Sequence, residues 1–367
     1  MVWLSVMAFL VSFVMGAMVL RLSRKHRSTY GENMPQRIHA GEVPRLGGVA
    51  LLAGLLVSWL AGVASTQWFG DPSFLSLDVR TVWWCVAMLP AILGGSAEDL
   101  TQRLLVRYRL LLTLLTGLMA VLLLDLRIPR LDLSWLDTGM AMFPWVGVAL
   151  ALLAMSGLPH AFNIIDGCNG LAGMVALIIC LALAHVSLQV GDRALALMLI
   201  TTAAATAGFL FWNYPRGMIF AGDGGAYLWG VVIAFASITL VMRHEQVSPW
   251  FPMLLLIYPV WETLFSMYRK WSRGMSPGMA DALHFHQLIY RRVVWGVFDD
   301  DESRDMLMRN NRTSPYLWMF TLLTVIPALL LWRTTWALLL CCGIFIVLYV
   351  SAYLAIVRFK LPGWMQN

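Results

Sequence analysis

Residues 171–190 read LAGMVALIICLALAHVSLQV and residues 194–212 read ALALMLITTAAATAGFLFW, with only Gly191, Asp192 and Arg193 between them. Neither run contains Asp, Glu, Lys or Arg. A helix of about 20 mostly apolar residues is long enough to cross the hydrocarbon core of a bilayer. This stretch therefore predicts two membrane-spanning helices that are joined by a tight turn.

Runs of similar length and composition occur along the whole chain of 367 residues, without an evident internal repeat. We therefore predict an all-α, polytopic membrane protein with about eleven transmembrane helices, folded as a single domain over residues 1–367. The first run lacks a basic n-region and a cleavage site, so we expect it to remain as a membrane anchor. The runs lie at residues 2–20, 46–64, 81–96, 108–124, 142–158, 171–190, 194–212, 217–241, 249–267, 315–333 and 335–357.

The composition agrees with a membrane protein, since 60% of the residues are hydrophobic and 13% are charged, against roughly 25% charged in soluble domains. The net charge of +6 does not predict nucleic-acid binding, because no basic face with interleaved aromatic residues is present. We expect this charge to set topology and to contact anionic lipid. The cysteines have no metal-ligand spacing and receive no chemical role; they are Cys85, Cys168, Cys180, Cys341 and Cys342.

The distribution of Lys and Arg predicts the orientation, because short cytoplasmic loops retain these residues. Loops that share a side with the C-terminus hold 20 of the 26, and the opposite side holds 6. We therefore predict a periplasmic N-terminus, a cytoplasmic C-terminus, and location in the bacterial cytoplasmic (inner) membrane. The predicted cytoplasmic loops are residues 21–45, 97–107, 159–170, 213–223 and 268–314.

Five polar clusters fall on the predicted cytoplasmic side. A polar cluster in an unrelated loop would lie on that side about half the time. The presence of all five clusters on one side therefore favours one shared active site. Ionisable groups at helix ends in a membrane protein are functional candidates because they are costly elsewhere. The clusters are Arg37 to Gly48 (RIHAGEVPRLGG), Glu98-Asp99 with Arg103, Arg107 and Arg109, Asn163 to Gly170 (NIIDGCNG), Gly222 to Gly225 (GDGG), and His284 to Gln287 (HFHQ).

Each cluster also has a structural interpretation. Asp223, between glycines at the start of an apolar helix, suits ligand approach but also suits a plain N-cap. Asn163 and Asp166 share a face if their segment is helical, or they cap a turn. Acidic residues from three loops favour a hard cation held through oxygens with a substrate diphosphate, and Mg²⁺ (or Mn²⁺) fits better than zinc.

The ordered motifs resemble those of the polyprenyl-phosphate N-acetylhexosamine-1-phosphate transferases, which are glycosyltransferases related to the phospho-MurNAc-pentapeptide transferase. The resemblance covers nearly the whole chain. It includes RIHAGEVPRLGG (37–48), EDLTQRLLVRYRLL (98–111), HAFNIIDGCNGLAG (160–173), FAGDGGAYLWG (220–230), YPVWETL (258–264) and DALHFHQLIYRR (281–292). It implies eleven helices and transfer of a sugar 1-phosphate from a UDP-N-acetylhexosamine to undecaprenyl phosphate, with release of UMP.

The resemblance also implies site residues. Asp223 would be the principal metal ligand, and Asp99 is the second expected metal residue, positioning the metal or the lipid phosphate. Glu98, Asp99 and Asp166 fall on the catalytic acidic positions. The expected substrate-binding residues are Asn163, Asn169, Arg107, Arg109, His284, His286 and Arg45.

Three positions depart from the pattern of the resembled family. Glu98 precedes Asp99 where the family has a pair of aspartates, Asn169 replaces an aspartate, and Gln287 replaces a histidine. These departures favour the enzymes that start O-antigen synthesis over the peptidoglycan enzyme, and they weaken catalytic roles for Glu98 and Asn169.

Other interpretations remain open at the level of the sequence. A transporter or lipid flippase would place its polar residues near the middle of the membrane, in broken helices. A CDP-alcohol phosphatidyl transferase would show a denser aspartate signature on one helix pair. The sequence leaves open a homodimer, and it leaves open whether transfer is direct or passes through a phospho-enzyme.

Overall fold

A computed structural model describes residues 1–23, 43–69, 77–275, 283–294 and 302–358. Most of the predicted loop 21–45 and parts of the loop 268–314 lie outside the described residues. Within them every regular element is a helix, which confirms the predicted fold class. The helices are α1 (Val2–Leu22), α2 (Gly47–Phe69), α3 (Arg80–Thr101), α4 (Val106–Leu124), α5 (Ser134–Met142), α6 (Trp145–Ile165), α7 (Leu171–Gln189), α8 (Arg193–Asn213), α9 (Gly222–Arg243), α10 (Trp250–Ser272), α11 (Phe285–Arg292), α12 (Glu302–Leu331) and α13 (Thr335–Val357).

In the described part of the chain, ten helices are long and apolar enough to cross a membrane. They are α1, α2, α4 and α6 to α10, followed by α12 and α13. Helix α3 has similar length, but Pro90, a glycine pair and the acidic pair at its end make it less apolar. It packs between α4 and α9, so we place it as the eleventh span.

The closely spaced spans are separated as the sequence predicts. Helix α7 ends at Gln189 and α8 begins at Arg193, while α12 ends at Leu331 and α13 begins at Thr335. Two short helices, α5 and α11, are absent from the predicted runs because neither is long enough to cross a bilayer. Helix α6 continues beyond the predicted end at residue 158, so Asn163 lies in its last turn.

Helix α9 is the centre of the bundle, and it packs against α2, α3 and α6. All of its residues from Gly222 to Val241 are buried. A helix that is apolar on every side, as α9 is, belongs inside a bundle rather than at its lipid-facing surface. The start of α9 therefore lies at a point where several helix ends meet.

Glycines allow this close meeting. A Cβ atom added at Gly48 would lie 2.4 Å from the backbone nitrogen of Gly225, and one at Gly95 would lie 2.6 Å from that of Gly224. Small residues let helix backbones approach one another in membrane proteins. The glycine motifs of α2, α3 and α9 are therefore contact surfaces for one another.

Candidate active site

Asp223 lies at the centre of the site, in the first turn of α9 and almost fully buried, with 5% of its surface exposed. Its Oδ2 accepts a 2.6 Å hydrogen bond from Nη1 of Arg109, which is also an ion pair. Its Oδ1 accepts from Nδ2 of Asn163 at 2.7 Å. Three helices, α4, α6 and α9, thus place a carboxylate, a guanidinium and an amide together.

Asp99 fixes the start of α9 from the last turn of α3. Its Oδ1 accepts from the backbone N–H of Asp223 at 2.8 Å, and its Oδ2 accepts from that of Gly224 at 2.8 Å. The first amides of a helix have no partner within their own helix, and a carboxylate there is also favoured by the helix dipole. Asp99 therefore acts as a cap from a neighbouring helix and sets the position of Asp223.

Gly222 makes this cap possible. Its φ is +70°, a conformation that L side chains rarely adopt. A Cβ at this position would overlap both the carboxylate of Asp99 and the carbonyl oxygen of Arg45. Glycine is therefore required at position 222, because any other residue would be strained at this φ and its Cβ atom would not fit.

The PRLGG segment lies against the same turn. The backbone nitrogens of Gly47 and Gly48 donate to the carbonyl oxygens of Phe220 and Ala221, both at 2.9 Å. Arg45 is thereby held beside the site, and its positive charge acts on both Asp99 and Asp166. Its role in substrate binding stays a prediction.

Asp166 directly follows α6, one turn beyond Asn163. Burial raises the pKa of its carboxyl group to about 7, against the attraction of the Arg45 guanidinium and with a contribution from the negative charge of Asp223. The carboxyl groups of Asp166 and Asp223 are therefore close enough for their charges to interact, although Arg45 has the larger electrostatic effect on Asp166. A bound cation would relieve their repulsion.

The histidine segment packs on the turn that contains Asp166. The ring of His286 lies so close to Gly167 that a Cβ there would overlap its Nε2 atom. The rings of His284 and His286 stack with centroids 5.7 Å apart, and both residues are buried. All five polar clusters of the sequence therefore supply residues to one end of the bundle.

Sequence reasoning gave no role to Glu262, although it lies in the YPVWETL motif. It is fully buried in α10, and its Oε1 lies 3.0 Å from Nδ1 of His284 and accepts from the Phe285 backbone N–H at 3.2 Å. The hydroxyl of Tyr349 donates to its other oxygen. A buried acid inside a membrane helix is a functional signal, and here it holds the histidine segment in place.

Three predicted site residues make their described contacts elsewhere. Glu98 accepts from the Leu104 backbone N–H at 2.7 Å and so shapes the α3–α4 turn. Arg107 is exposed, and its Nη2 donates to the Tyr108 hydroxyl at 3.3 Å. Asn169 is buried, and the contacts that tie its loop to α12 involve Asn310, Asn311 and Ser314.

The residues present suit a hard divalent cation that is shared with a substrate. The described residues contain no group of three or more His, Cys, Asp or Glu side chains arranged to hold a metal alone. Mg²⁺ commonly binds one or two carboxylates and completes its shell with water and substrate phosphates. Asp223, with Asp166 nearby, offers that oxygen donor set, and the Arg109 contact shows that a positive charge fits against Asp223.

Comparison with known proteins places this geometry in a family. Residues 81–241, which include Asp99, Asn163, Asp166 and Asp223, match the model of glycosyl transferase family 4. A probable undecaprenyl-phosphate N-acetylglucosaminyl 1-phosphate transferase from Bacillus subtilis is 25% identical over 296 residues, which cover 80% of this chain and 78% of the relative.

Two further relatives agree. An undecaprenyl-phosphate alpha-N-acetylglucosaminyl 1-phosphate transferase from Yersinia pestis is 25% identical over 299 residues, covering 79% of this chain and 75% of the relative. A phospho-N-acetylmuramoyl-pentapeptide-transferase from Moorella thermoacetica is 30% identical over 258 residues, covering 66% of this chain and 76% of the relative. These similarities show that the chain belongs to glycosyl transferase family 4, and the helical bundle with its polar end agrees with this.

Proposed function

We propose that this protein transfers an N-acetylhexosamine 1-phosphate from a UDP-sugar to undecaprenyl phosphate. The products are undecaprenyl-diphospho-sugar and UMP, and the reaction would start a cell-surface polysaccharide of the O-antigen (lipopolysaccharide) type. The observation that carries the proposal is the Asp223 cluster, where Arg109 and Asn163 meet one carboxylate at the end of a membrane bundle. The names of the relatives make GlcNAc the first sugar to test.

Transfer of a phosphoryl group requires mainly that the enzyme positions the reactants and neutralises the charge of their phosphates. A phosphate monoester is already mostly ionised at neutral pH, so its oxygen can attack without an obligatory general base. It forms a bond to the phosphorus that carries the sugar, while the bond from that phosphorus to the bridging oxygen breaks. UMP leaves with the bonding electron pair, and the cationic groups of Arg45 and Arg109 offset the negative charge of the reacting phosphates.

Asp223 is the proposed principal ligand of a Mg²⁺ ion, with Asp166 beside it. The ion, when bound, would neutralise diphosphate charge in the transition state. The role of Asp99 follows from its two hydrogen bonds to the first amides of α9, because these fix Asp223 and thereby the metal position. Asn163 and the His284/His286 segment would orient the nucleotide and the diphosphate.

The site is proposed to face the cytoplasm from the inner membrane. UDP-sugars are made in that compartment, and 20 of the 26 Lys and Arg residues belong to the side that carries the polar clusters.

A transporter or flippase is the rival function, and the position of the polar cluster disfavours it. Asp99 lies at the end of α3, Asn163 at the end of α6 and Asp223 at the start of α9. Transporter sites instead lie near the middle of the membrane, where discontinuous helices meet. Within the described residues the helices that supply the cluster run continuously from it across the bundle.

A radiolabelled transfer assay tests the proposal. The purified full-length protein is incubated with undecaprenyl phosphate, Mg²⁺ and each of several labelled UDP-N-acetylhexosamines. We expect one of them to yield labelled lipid that extracts into butanol, together with an equal amount of UMP. Labelled sugar that only crosses a vesicle membrane, without UMP release, would support the transporter instead.

A further inference from the structure

A second set of polar side chains extends from Asp223 into the bundle. The Tyr227 hydroxyl lies 3.4 Å from Oδ2 of Asp223 and 3.3 Å from Nδ1 of His160. Nε2 of His160 in turn lies 3.1 Å from Oγ1 of Thr113. Tyr227 and Thr113 are fully buried, and the rings of His160 and Tyr227 meet edge to face with centroids 5.0 Å apart.

The hydrogen atoms available set the direction of these contacts. The Thr113 hydroxyl donates its only hydrogen to the carbonyl oxygen of Leu110 at 3.0 Å. Oγ1 of Thr113 therefore accepts from Nε2–H of His160. In a neutral ring this leaves Nδ1 as an acceptor, so His160 presents a lone pair to Tyr227.

Tyr227 then has one hydroxyl hydrogen and two acceptors, His160 and Asp223. The hydroxyl oxygen lies at similar distances from Nδ1 of His160 and Oδ2 of Asp223, and both distances are longer than an ordinary O–H hydrogen bond. This geometry is expected when one hydrogen is shared between two acceptors. The hydroxyl is thereby held next to the same oxygen of Asp223 that Arg109 contacts.

Tyr227 and Arg109 both contact Oδ2 of Asp223, so movement of Arg109 during turnover would leave Tyr227 beside that oxygen. If Arg109 turns toward a substrate diphosphate, Oδ2 of Asp223 loses its charged donor, and Tyr227 is then the described side chain that still donates to that oxygen. We propose that His160 and Tyr227 form a positioning pair, in which His160 holds the Tyr227 hydroxyl and that hydroxyl keeps the Asp223 carboxylate oriented. The inference rests on the proposed role of Asp223 as the principal metal ligand.

The test compares variants of the full-length protein in detergent. Tyr227→Phe removes one oxygen and keeps the ring, and Tyr258→Phe on α10 is the matched control, because it removes the hydroxyl of another fully buried tyrosine. Residues that orient a metal ligand usually contribute 10- to 100-fold to metal affinity or activity. We expect Tyr227→Phe to lower kcat or the affinity for Mg²⁺ by about tenfold or more and Tyr258→Phe to change neither.

His160 is tested through the same readouts. Asn at this position can still present an acceptor to Tyr227, whereas Leu cannot, so His160→Asn should retain most activity and His160→Leu should resemble Tyr227→Phe. If His160 acts through Tyr227, adding His160→Leu to Tyr227→Phe should cause little further loss. Independent, multiplying losses would overturn the pair.

A readout without turnover separates this inference from the proposed function. The midpoint of thermal unfolding is measured with and without Mn²⁺, in the absence of substrates. We expect Mn²⁺ to stabilise the wild type and Tyr258→Phe, and to stabilise Tyr227→Phe less. An inactive wild type that is still stabilised would contradict the proposed reaction alone. Equal stabilisation of all variants, or none in the wild type, would overturn the positioning pair.

Discussion

Replacement of Asp223 by asparagine changes the charge of the central side chain but hardly its size. The amide can still accept from Asn163, but it loses the ion pair with Arg109 and the anionic oxygens proposed to hold Mg²⁺. Loss of a principal electrostatic group typically costs about a hundredfold or more in kcat. We therefore expect Asp223→Asn to insert and fold normally and to lose at least that much activity.

Asp125, at the opposite end of the bundle from Asp223, provides a matched control. Asp125 is exposed and has a left-handed backbone conformation that asparagine also tolerates. Asp125→Asn should therefore retain wild-type activity. If Asp223→Asn kept more than about a tenth of the wild-type rate at saturating Mg²⁺, the assignment of Asp223 would be wrong, since the expected loss is far larger.

The neighbours Glu98 and Asp99 should respond differently to loss of charge. Both carboxylate oxygens of Asp99 accept backbone hydrogens at the start of α9. Asn has only one such oxygen, so Asp99→Asn would leave a buried N–H facing an amide NH₂ group, which is costly. Glu98 uses one oxygen to accept from Leu104, and Gln can make the same bond. We expect Asp99→Asn to reduce kcat at least about tenfold more than Glu98→Gln.

The rate comparison is made on purified protein at saturating substrates, with unfolding midpoints measured in parallel. Equal losses of rate would mean that the two acids act as one unit, contrary to the geometry. The sequence already suggested that Glu98 matters less, because it departs from the aspartate pair of the resembled family. It could not show the reason, since the partners of Asp99 lie more than 120 positions away, at Asp223 and Gly224.

At the scale of helices, substitution of Gly95, the α3 residue that contacts the start of α9, tests the packing of these two helices. Alanine normally favours a helix over glycine by about 1 kcal/mol. At Gly95, however, the added Cβ would lie 2.6 Å from the backbone nitrogen of Gly224 and must move the start of α9. We expect Gly95→Ala to lower the unfolding temperature and to reduce activity strongly.

Gly157 provides the control for this substitution. It lies within α6, where an added Cβ meets no atom within 4 Å. Gly157→Ala should therefore keep full activity and equal or exceed the wild type in thermal stability, as helix propensity predicts. Equal behaviour of the two variants would show that the α3–α9 contact is looser than the structure indicates.

Spans and short helices differ in how well the sequence predicts them. Apolar runs of about 20 residues have a strong signal because the bilayer sets their length, and most described spans follow the predicted runs within several residues. Helix α12 is the exception: it begins at Glu302, inside the predicted loop 268–314 and well before the predicted start of the run at residue 315, because its first turns are charged and polar. The short helices α5 and α11 lack this signal, since only tertiary contacts stabilise them. The extension of α6 to Ile165 was also not evident, because Pro159, His160 and Asn163 interrupt the apolar run near its end.

At the scale of the whole molecule, the sequence predicted that polar clusters from five segments would meet, and the structure brings them together. It did not predict which atoms would meet. Glu262 and Tyr227 lie in long apolar helices, where a single polar residue looks like part of a span. Their importance comes from the partners that the fold places beside them, His284 for Glu262 and Asp223 for Tyr227.

The orientation of the bundle decides whether this assembled site can meet its nucleotide substrate. Ser272 ends α10 at the same end of the bundle as Asp223, while Ser134 begins α5 at the opposite end, and both are exposed. Cysteine is nearly isosteric with serine, so Ser272→Cys and Ser134→Cys should preserve the fold. The native cysteines are replaced by serine or alanine in the background protein, which must remain active.

A membrane-impermeant thiol reagent is then applied to intact cells and to opened membranes. Because positively charged loops stay in the cytoplasm, the Ser134→Cys protein should be labelled in intact cells. The Ser272→Cys protein should be labelled only after the membrane is opened. Labelling of Ser272→Cys in intact cells would place Asp223 and its neighbours on the periplasmic side, away from the UDP-sugars, and would contradict both the orientation and the proposed reaction.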